Sequence, residues 1–206
     1  MEKKKKSKKE TQEKMITTEE AKIRTICETT SIKEGEEIGV KLLHELRTSE
    51  KPGVGLAANQ IGINKRVCVV NVKEPLVLIN PLIVERSKEE FIFPEGCLSF
   101  PDKKIRTKRF VSVIVETDNH EGQLSFSADS EDINDAFECC CIQHEIDHLD
   151  GITMFDREFK NVPHKRDGKK IGRNEKVTIT DGKETKVIKY KKALPLIESG
   201  WEITQV

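Results

Sequence analysis

The 206-residue chain is poor in aromatic residues, with 5% Phe, Trp and Tyr, one Trp and one Tyr, and it carries no net charge, since 36 basic residues balance 36 acidic ones. No apolar run approaches the ~20 residues that a membrane-spanning helix needs, so a bilayer is not an expected partner. The opening Met-Glu-Lys-Lys-Lys-Lys lacks the apolar core of a secretory signal, and a cytoplasmic location is therefore expected. Six cysteines occur, at 27, 68, 97 and 139–141, without a Cys-x-x-Cys pair. That absence argues against a four-ligand structural zinc site, while three consecutive cysteines on an expected helix and a fourth in the strand-like 66–72 argue against a disulfide framework and favour a reducing compartment. No Lys-Ser/Thr follows the glycines at 53 and 55, which excludes a phosphate-binding loop. There is no internal repeat, and nothing suggests a specific DNA target.

What is present is unevenly charged. Residues 1–14 hold seven Lys against three Glu, and residues 160–206 hold twelve basic and six acidic residues. The middle, 15–159, holds 17 basic and 27 acidic residues. The expected organisation is a disordered lysine-rich tail over 1–14, a catalytic unit over 15–159, and a basic linker with a β-hairpin over 160–206.

The stretch with the clearest chemistry is Gln143-His144-Glu145-Ile146-Asp147-His148. On a helix, His144 and His148 are i,i+4 neighbours, so both imidazoles reach one metal ion. Glu145, adjacent to the first of them, can take a proton from water without ligating the metal. Asp129 or Ser130 is the expected N-cap, and Gly151 falls where a left-handed residue closes a helix. Phe137, Cys141, His144 and His148 follow steps of four, three and four along one stripe. Phe137 and Cys141, with Val54, are thus expected to line an apolar pocket, although ordinary core residues share that spacing.

Upstream, Ser31-Ile-Lys-Glu34 reads as a capping box opening a helix to about Thr48, with Ile38, Leu42, Leu43 and Leu46 on its apolar face. Segments 66–72 and 76–80 read as buried strands, and 110–117 with 123–128 as an antiparallel hairpin. Residues 176–180 and 185–190 form a second hairpin around Asp181-Gly182. Helix, strands and helix in this order suggest an α+β fold, with antiparallel β-sheets packed around a central metal-binding helix.

Two histidines need a further ligand. The third histidine of a metzincin is replaced by Met154, no downstream helix offers a carboxylate, and Cys97 remains. The stretches Gly53-Val-Gly-Leu-Ala-Ala-Asn-Gln60, Glu95-Gly-Cys-Leu-Ser99 and Gln143–His148, in this order, resemble the three motifs of the peptide deformylases. The resemblance implies an enzyme that removes the formyl group from N-formylmethionyl nascent peptides. Its cofactor would be one divalent metal ion, Fe(2+) natively, with Ni(2+) or Zn(2+) able to substitute. It further implies Cys97, His144 and His148 as ligands and Glu145 as general base. Gln60 and the Leu98 amide would act as oxyanion donors, Gly55 would pair with the substrate backbone, and Glu95 and Gly96 would lie on the substrate side. Arg109 would support the metal helix and its motif carboxylate. A His-Glu-x-x-His metallopeptidase and a catalytically silent binding module are the competing readings. Since nascent chains leave an RNA-rich particle, the basic ends suggest ribosome association.

Overall fold

A computed structural model describes residues 16–159, 165–166, 169–199 and 201–205. The lysine-rich tail expected over 1–14, and most of the expected linker, lie outside them.

After the short α1 (Glu20–Ile23), the first long helix is α2 (Ile32–Thr48). Ser31 Oγ accepts the Glu34 N–H at 3.3 Å, which satisfies one of the orphan donors of the first turn. The other half of the expected capping box does not form, because the Glu34 carboxylate accepts from the Thr30 hydroxyl instead. The helix buries Gly35, Ile38, Gly39, Leu42 and Leu46, the single stripe that a 3.6-residue period demands. Two of these are glycines for a steric reason. A Cβ on Gly35 would stand 2.6 Å from Ile79 Cγ2, and one on Gly39 would stand 2.5 Å from Val77 Cγ1.

The surface met by α2 is an antiparallel sheet of β1 (Gly55–Ala57), β2 (Val67–Asn71) and β3 (Pro75–Ile79), in that spatial order. A short 3₁₀ helix, Ala58–Ile61, follows β1 directly. Strand β2 is covered on both faces: Val67 and Val69 join the cluster under α2, while Cys68 and Val70 join a second cluster on the opposite side. Burial on both faces explains why this strand reads as an unbroken apolar run.

A second antiparallel sheet has the order β4-β7-β8, from β4 (Leu82–Arg86), β7 (Ser112–Glu116) and β8 (Leu124–Ser127). Between β4 and β7 in sequence runs a long hairpin, β5 (Glu90–Cys97) with β6 (Phe100–Phe110), turning at Leu98 and Ser99. The sequence reading had no strands at β4, β5 or β6.

Helix α3 (Ile133–Leu149) carries the His-Glu-x-x-His stretch. Its N-cap is Asp132, whose Oδ1 accepts from the Asn134 N–H at 2.9 Å, and not Asp129 or Ser130. Ser130 instead accepts from the Asp132 N–H at 3.1 Å, which shapes the chain leading into the cap. The far end closes as expected. Gly151 is left-handed at φ 71°, its N–H reaches His148 O at 3.0 Å, and the Ile152 N–H reaches Asp147 O at 2.8 Å, the paired bonds of a Schellman motif. A Cβ at this glycine would also meet Arg24 O at 2.5 Å.

From Cys139 to Leu149 every residue of α3 is buried. Cys139, Cys141, Ile142, Ile146 and Leu149 share one core with Cys68, Val70 and Leu78 of the first sheet and Val113 and Val115 of the second. The result is a mixed α and β fold built on antiparallel sheets, with α3 between two of them.

Beyond residue 164, the two-residue strands β9 (Lys165–Arg166) and β10 (Lys169–Lys170) pair. A small sheet of order β12-β11-β13 follows, made by β11 (Lys176–Thr180), β12 (Thr185–Lys189) and β13 (Glu202–Gln205). Helix α4 (Tyr190–Glu198) packs on one face of it. The hairpin at Asp181-Gly182 matches the sequence reading, whereas α4 and β13 had no sequence expectation. Pro195 sits inside α4, a residue that ordinarily breaks a helix interior. Ile171, Val177, Ile179, Tyr190 and Ala193 form the core of this unit, with partly buried neighbours drawn only from residues 188–203.

Candidate metal centre

Helix geometry brings His144 and His148 together, with their Nε2 atoms 3.1 Å apart and ring planes at 86°. Cys97 ends β5, immediately before the two-residue turn, and its Sγ lies 3.3 Å from His148 Nε2. One ligand atom from each residue lies within 4.8 Å of the others. Metal–nitrogen bonds of about 2.0–2.1 Å and a metal–thiolate bond of about 2.3 Å, at tetrahedral angles, separate ligand atoms by roughly 3.3–3.6 Å. The donor triangle therefore fits a single metal ion.

Nearby groups orient these donors. Glu95 Oε2 lies 2.7 Å from His144 Nδ1. That bond fixes the proton on Nδ1 and leaves the Nε2 lone pair for the centre of the triangle. Burial, followed by the neighbouring His144, pushes His148 toward its neutral form, the form a metal ligand requires.

A sequence expectation is corrected at Glu95. Instead of facing substrate, its buried carboxylate accepts from Arg109 Nε at 2.6 Å and Arg109 Nη2 at 2.9 Å. The Thr107 hydroxyl and Cys140 Sγ, at 3.1 Å, also donate to it. Burial alone would raise the Glu95 pKa, but hydrogen bonds from Arg109 and His144 hold it well below the usual carboxylate range. The reason lies in strand periodicity. Glu95 and Cys97 are two apart on β5, so both point toward α3.

Arg109 extends the network from Glu95 to Asp147, with which Arg157 also pairs through Nη2–Oδ1 at 2.8 Å. Asp147, on sequence alone equally compatible with an Arg, a His N–H or solvent, is thus paired with two arginines.

Glu145 stands outside this network, and His148 Nδ1 is likewise buried without a partner among the described residues. The Glu145 side chain is buried, its Oε2 has no hydrogen-bond partner among the described residues, and burial pushes its pKa up to about 7. Gly55 makes room for it: a Cβ there would collide with Glu145 Oε1 and stand 2.8 Å from Cys141 Sγ. Gln60, in the 3₁₀ helix, accepts the Ala57 N–H on Oε1 at 2.8 Å. That bond turns its Nε2 toward Ser99 Oγ at 3.0 Å and Cys97 Sγ at 3.5 Å. The Leu98 side chain packs beneath the same stretch, where a Cβ on Gly53 would meet its Cδ1 at 2.6 Å.

The remaining expected residues are more dispersed. Val54 packs against the α3 core and Cys141 is buried in it. Phe137 is 37% exposed and stacks on Phe93, ring centroids 5.9 Å apart. Gly96 is exposed, and a Cβ there would meet nothing closer than 3.6 Å.

Three participants escaped the sequence reading. Asn59 Nδ2 donates to His148 O at 2.6 Å and Ile23 O at 2.8 Å, tying the end of α3 to the N-terminal segment. Gln143 bridges to Phe110, accepting its N–H at 3.0 Å and donating to its carbonyl at 2.9 Å. Phe93 had a usable signal, since it lies two and four residues before Glu95 and Cys97 in one alternating run.

Residues 11–164 match the family model described as polypeptide deformylase. The chain belongs to that family. A peptide deformylase from Heliobacterium modesticaldum is 48% identical over 112 residues, covering 54% of this chain and 70% of the relative. One from Rhizobium meliloti is 41% identical over 113 residues, and the matched part spans 52% of this chain and 62% of that relative. Among solved structures, the peptide deformylase of Thermotoga maritima superposes with a TM-score of 0.62 at 26% identity, covering 70% of this chain and 97% of that one. A probable peptide deformylase from the Synechococcus phage S-SSM7 gives 0.58 at 32% identity, covering 69% and 97%. The family match ends at residue 164, before the sheet of β11, β12 and β13.

Proposed function

We propose that this polypeptide deformylase removes the formyl group from N-terminal formyl-methionine of nascent peptides, releasing formate and a free amine. The observation that carries the reading is the convergence of Cys97, His144 and His148 next to the one buried carboxylate oxygen in the cluster without a partner, that of Glu145. Cys97, His144 and His148 would hold one divalent metal ion, with iron(II) the native ion and nickel or zinc as substitutes. When bound, that ion polarises the formyl carbonyl and makes water nucleophilic near neutral pH.

The chain's own residues do the rest. Glu145 Oε2, unpartnered and raised in basicity by burial, accepts the proton released as water attacks the formyl carbon. It returns that proton to the amine nitrogen as the C–N bond breaks. Gln60 Nε2, with its amide pinned by the Ala57 N–H, and the Leu98 N–H stabilise the negative charge on the formyl oxygen. Gly55 offers its backbone to the peptide, and the exposed Gly96 lies on the substrate side. Val54, Phe137 and Cys141 shape an apolar recess for an unbranched side chain. Glu95 fixes the tautomer of His144 in place of the substrate contact first expected of it.

The same reading treats residues 15–159 as the catalytic unit and 160–206 as an appended one that associates with ribosomes. Cytoplasmic residence is supported by six cysteines without a disulfide. No described helix is long and apolar enough to cross a membrane.

The test pairs metal analysis after anaerobic purification with two substrates, formyl-Met-Ala-Ser and an internally cleavable peptide. Formate release without backbone cleavage is expected. Backbone cleavage would turn the reading to a metallopeptidase, and neither product would indicate a silent binding module.

A further inference from the structure

The sheet at the C-terminal end crowds positive charge where folding alone would separate it. Lys176 on β11 is the direct cross-strand partner of Lys189 on β12, an arrangement that like charges make unfavourable. Lys189 then serves as N-cap of α4, and Lys191 and Lys192 fill its first turn, which holds no acidic residue. Arg173 is drawn beside them, since the Lys191 N–H bonds to Arg173 O at 3.0 Å. All five side chains are exposed. Among the described residues none of the five has an acidic partner, and the ion pair found in this unit joins Lys186 to Glu184 near the opposite end of the hairpin.

The sheet face turned away from α4 continues this surface. In the registers Thr178↔Val187, Thr180↔Thr185 and Thr178↔Gln205 it presents threonines, Gln205 and Val187, which is 62% exposed. The Thr180 and Thr185 hydroxyls are engaged within the hairpin, so the face offers the Thr178 hydroxyl and the Gln205 amide beside cations and one apolar residue. Amphipathic insertion into a lipid surface needs more apolar area than this. A backbone of closely spaced phosphates meets both the charge and the donors.

We propose that Arg173, Lys176, Lys189, Lys191 and Lys192, with the adjoining threonine-rich face, form a binding surface for the phosphate backbone of RNA. The choice of RNA rests on the deformylase reading, which puts the enzyme beside ribosomes. The surface itself rests only on the register and the unpaired charges. Trp201 supplies an internal reporter, because it is the sole tryptophan of the chain and its ring lies 4.6 Å from Lys186 Nζ within the same unit.

The experiment uses the full chain and a short fluorescein-labelled RNA hairpin, read by anisotropy over a potassium chloride series and by Trp201 emission. Two fourfold variants lose equal charge: K176Q/K189Q/K191Q/K192Q in the surface, and K33Q/K41Q/K88Q/K103Q at exposed sites of the catalytic unit. Wild type should bind at low salt with a change in Trp201 emission. The surface variant should bind at least ~10-fold more weakly, and its log–log salt slope should fall by roughly 3–4, about 0.9 for each phosphate contact removed. The body variant should bind nearly as wild type does.

Absence of wild-type binding at low salt overturns the proposal, as does equal weakening by both variants, which would mean that only net charge matters. Tighter binding to phosphatidylserine vesicles than to the hairpin overturns it too. Trp201 emission of the free proteins verifies that the unit still folds. Should the fourfold variant fail that check, K191Q/K192Q, which leaves both strands unaltered, must itself weaken binding and lower the slope by about 2. Formate release is measured in parallel on every variant, so failure of RNA binding with intact hydrolysis rejects this surface alone.

Discussion

Helices α2 and α3 are both 17 residues long, yet they solve opposite problems. Helix α2 buries one stripe and leaves its charged residues in water, so its stability comes from apolar contact with a sheet that Gly35 and Gly39 allow to approach closely. Helix α3 is enclosed from Cys139 onward and carries Gln143, His144, Glu145, Asp147 and His148 inside. Each buried polar group there needs a partner, because an unsatisfied one costs about 1–3 kcal/mol and more if charged. Glu95, Arg109, Arg157 and Phe110 provide partners for His144, Asp147 and Gln143. The contrast shows that α3 adds polar pairing to its apolar contacts where α2 is held by packing. Two side-chain atoms of α3 remain buried without a partner among the described residues, Glu145 Oε2 and His148 Nδ1.

Four measurements can break or sharpen this contrast. The largest effect is expected for Glu145→Gln, which keeps the shape but removes the proton acceptor. Turnover should fall by about 10²–10⁴ while metal content, read by elemental analysis, stays at the wild-type level. Retention of more than about a tenth of the activity would remove Glu145 from the role of base.

Next comes Arg109→Met, which leaves the buried Glu95 and Asp147 carboxylates facing one another without the guanidinium between them. A loss of roughly 3–5 kcal/mol is expected in chemical denaturation, together with reduced metal content as His144 loses its fixed orientation. A variant as stable as wild type would show that polar pairing does not hold α3.

On the other helix, Gly39→Ala should cost about 1–3 kcal/mol by overpacking against Val77. Metal stoichiometry and kcat should be unchanged, since nothing in α2 touches the donors. A simultaneous loss of metal would show that the two helices are not independent.

The smallest effect belongs to an ion pair outside both helices, Arg24 with Asp156 at 2.9 Å, whose side chains are 38% and 42% exposed. Partial burial works against the charged form of Asp156, yet hydrogen bonds from Arg24 and Thr153 outweigh it and bring the pKa down to about 2. A pKa lowered by folding stabilises the protein above the unfolded value of ~3.9, and that contribution disappears as pH falls toward about 2. Asp156→Asn should therefore destabilise the protein slightly at neutral pH, by well under 1 kcal/mol given the exposure, as read by chemical denaturation. The difference from wild type should shrink across the acid range. A difference that persists at the acid end would assign the effect to something other than charge.

The ease of reading the sequence differed between the two helices for the same reason. Ile38, Leu42 and Leu46 announced α2 through periodicity, and Ser31 marked its start. Helix α3 has no apolar stripe because all its sides are covered, so only the His-Glu-x-x-His spacing and Gly151 identified it. Its N-cap was misplaced by two or three residues, because Asp129, Ser130 and Asp132 are all competent caps and local chemistry ranks them equally. Strands β5 and β6 were missed because charged residues fill the outer half of their hairpin: β6 alternates exposed positions such as Lys104, Arg106 and Lys108 with buried Thr107 and Arg109. A buried arginine in a strand looks like surface until its carboxylate partners are known.

The sequence by itself determined that His144 and His148 share one face of a helix with Glu145 beside them, because spacing along a helix is a local property. It also determined the charge imbalance between the catalytic unit and its C-terminal extension. Only the tertiary structure decided that the Glu95 carboxylate pairs with His144 and Arg109, that Asn59 and Gln143 stitch α3 into place, and that Lys176 and Lys189 stand opposite one another. Each of these depends on which strand lies beside which element and in what register. Register is set by how the whole core closes, and no single segment encodes it.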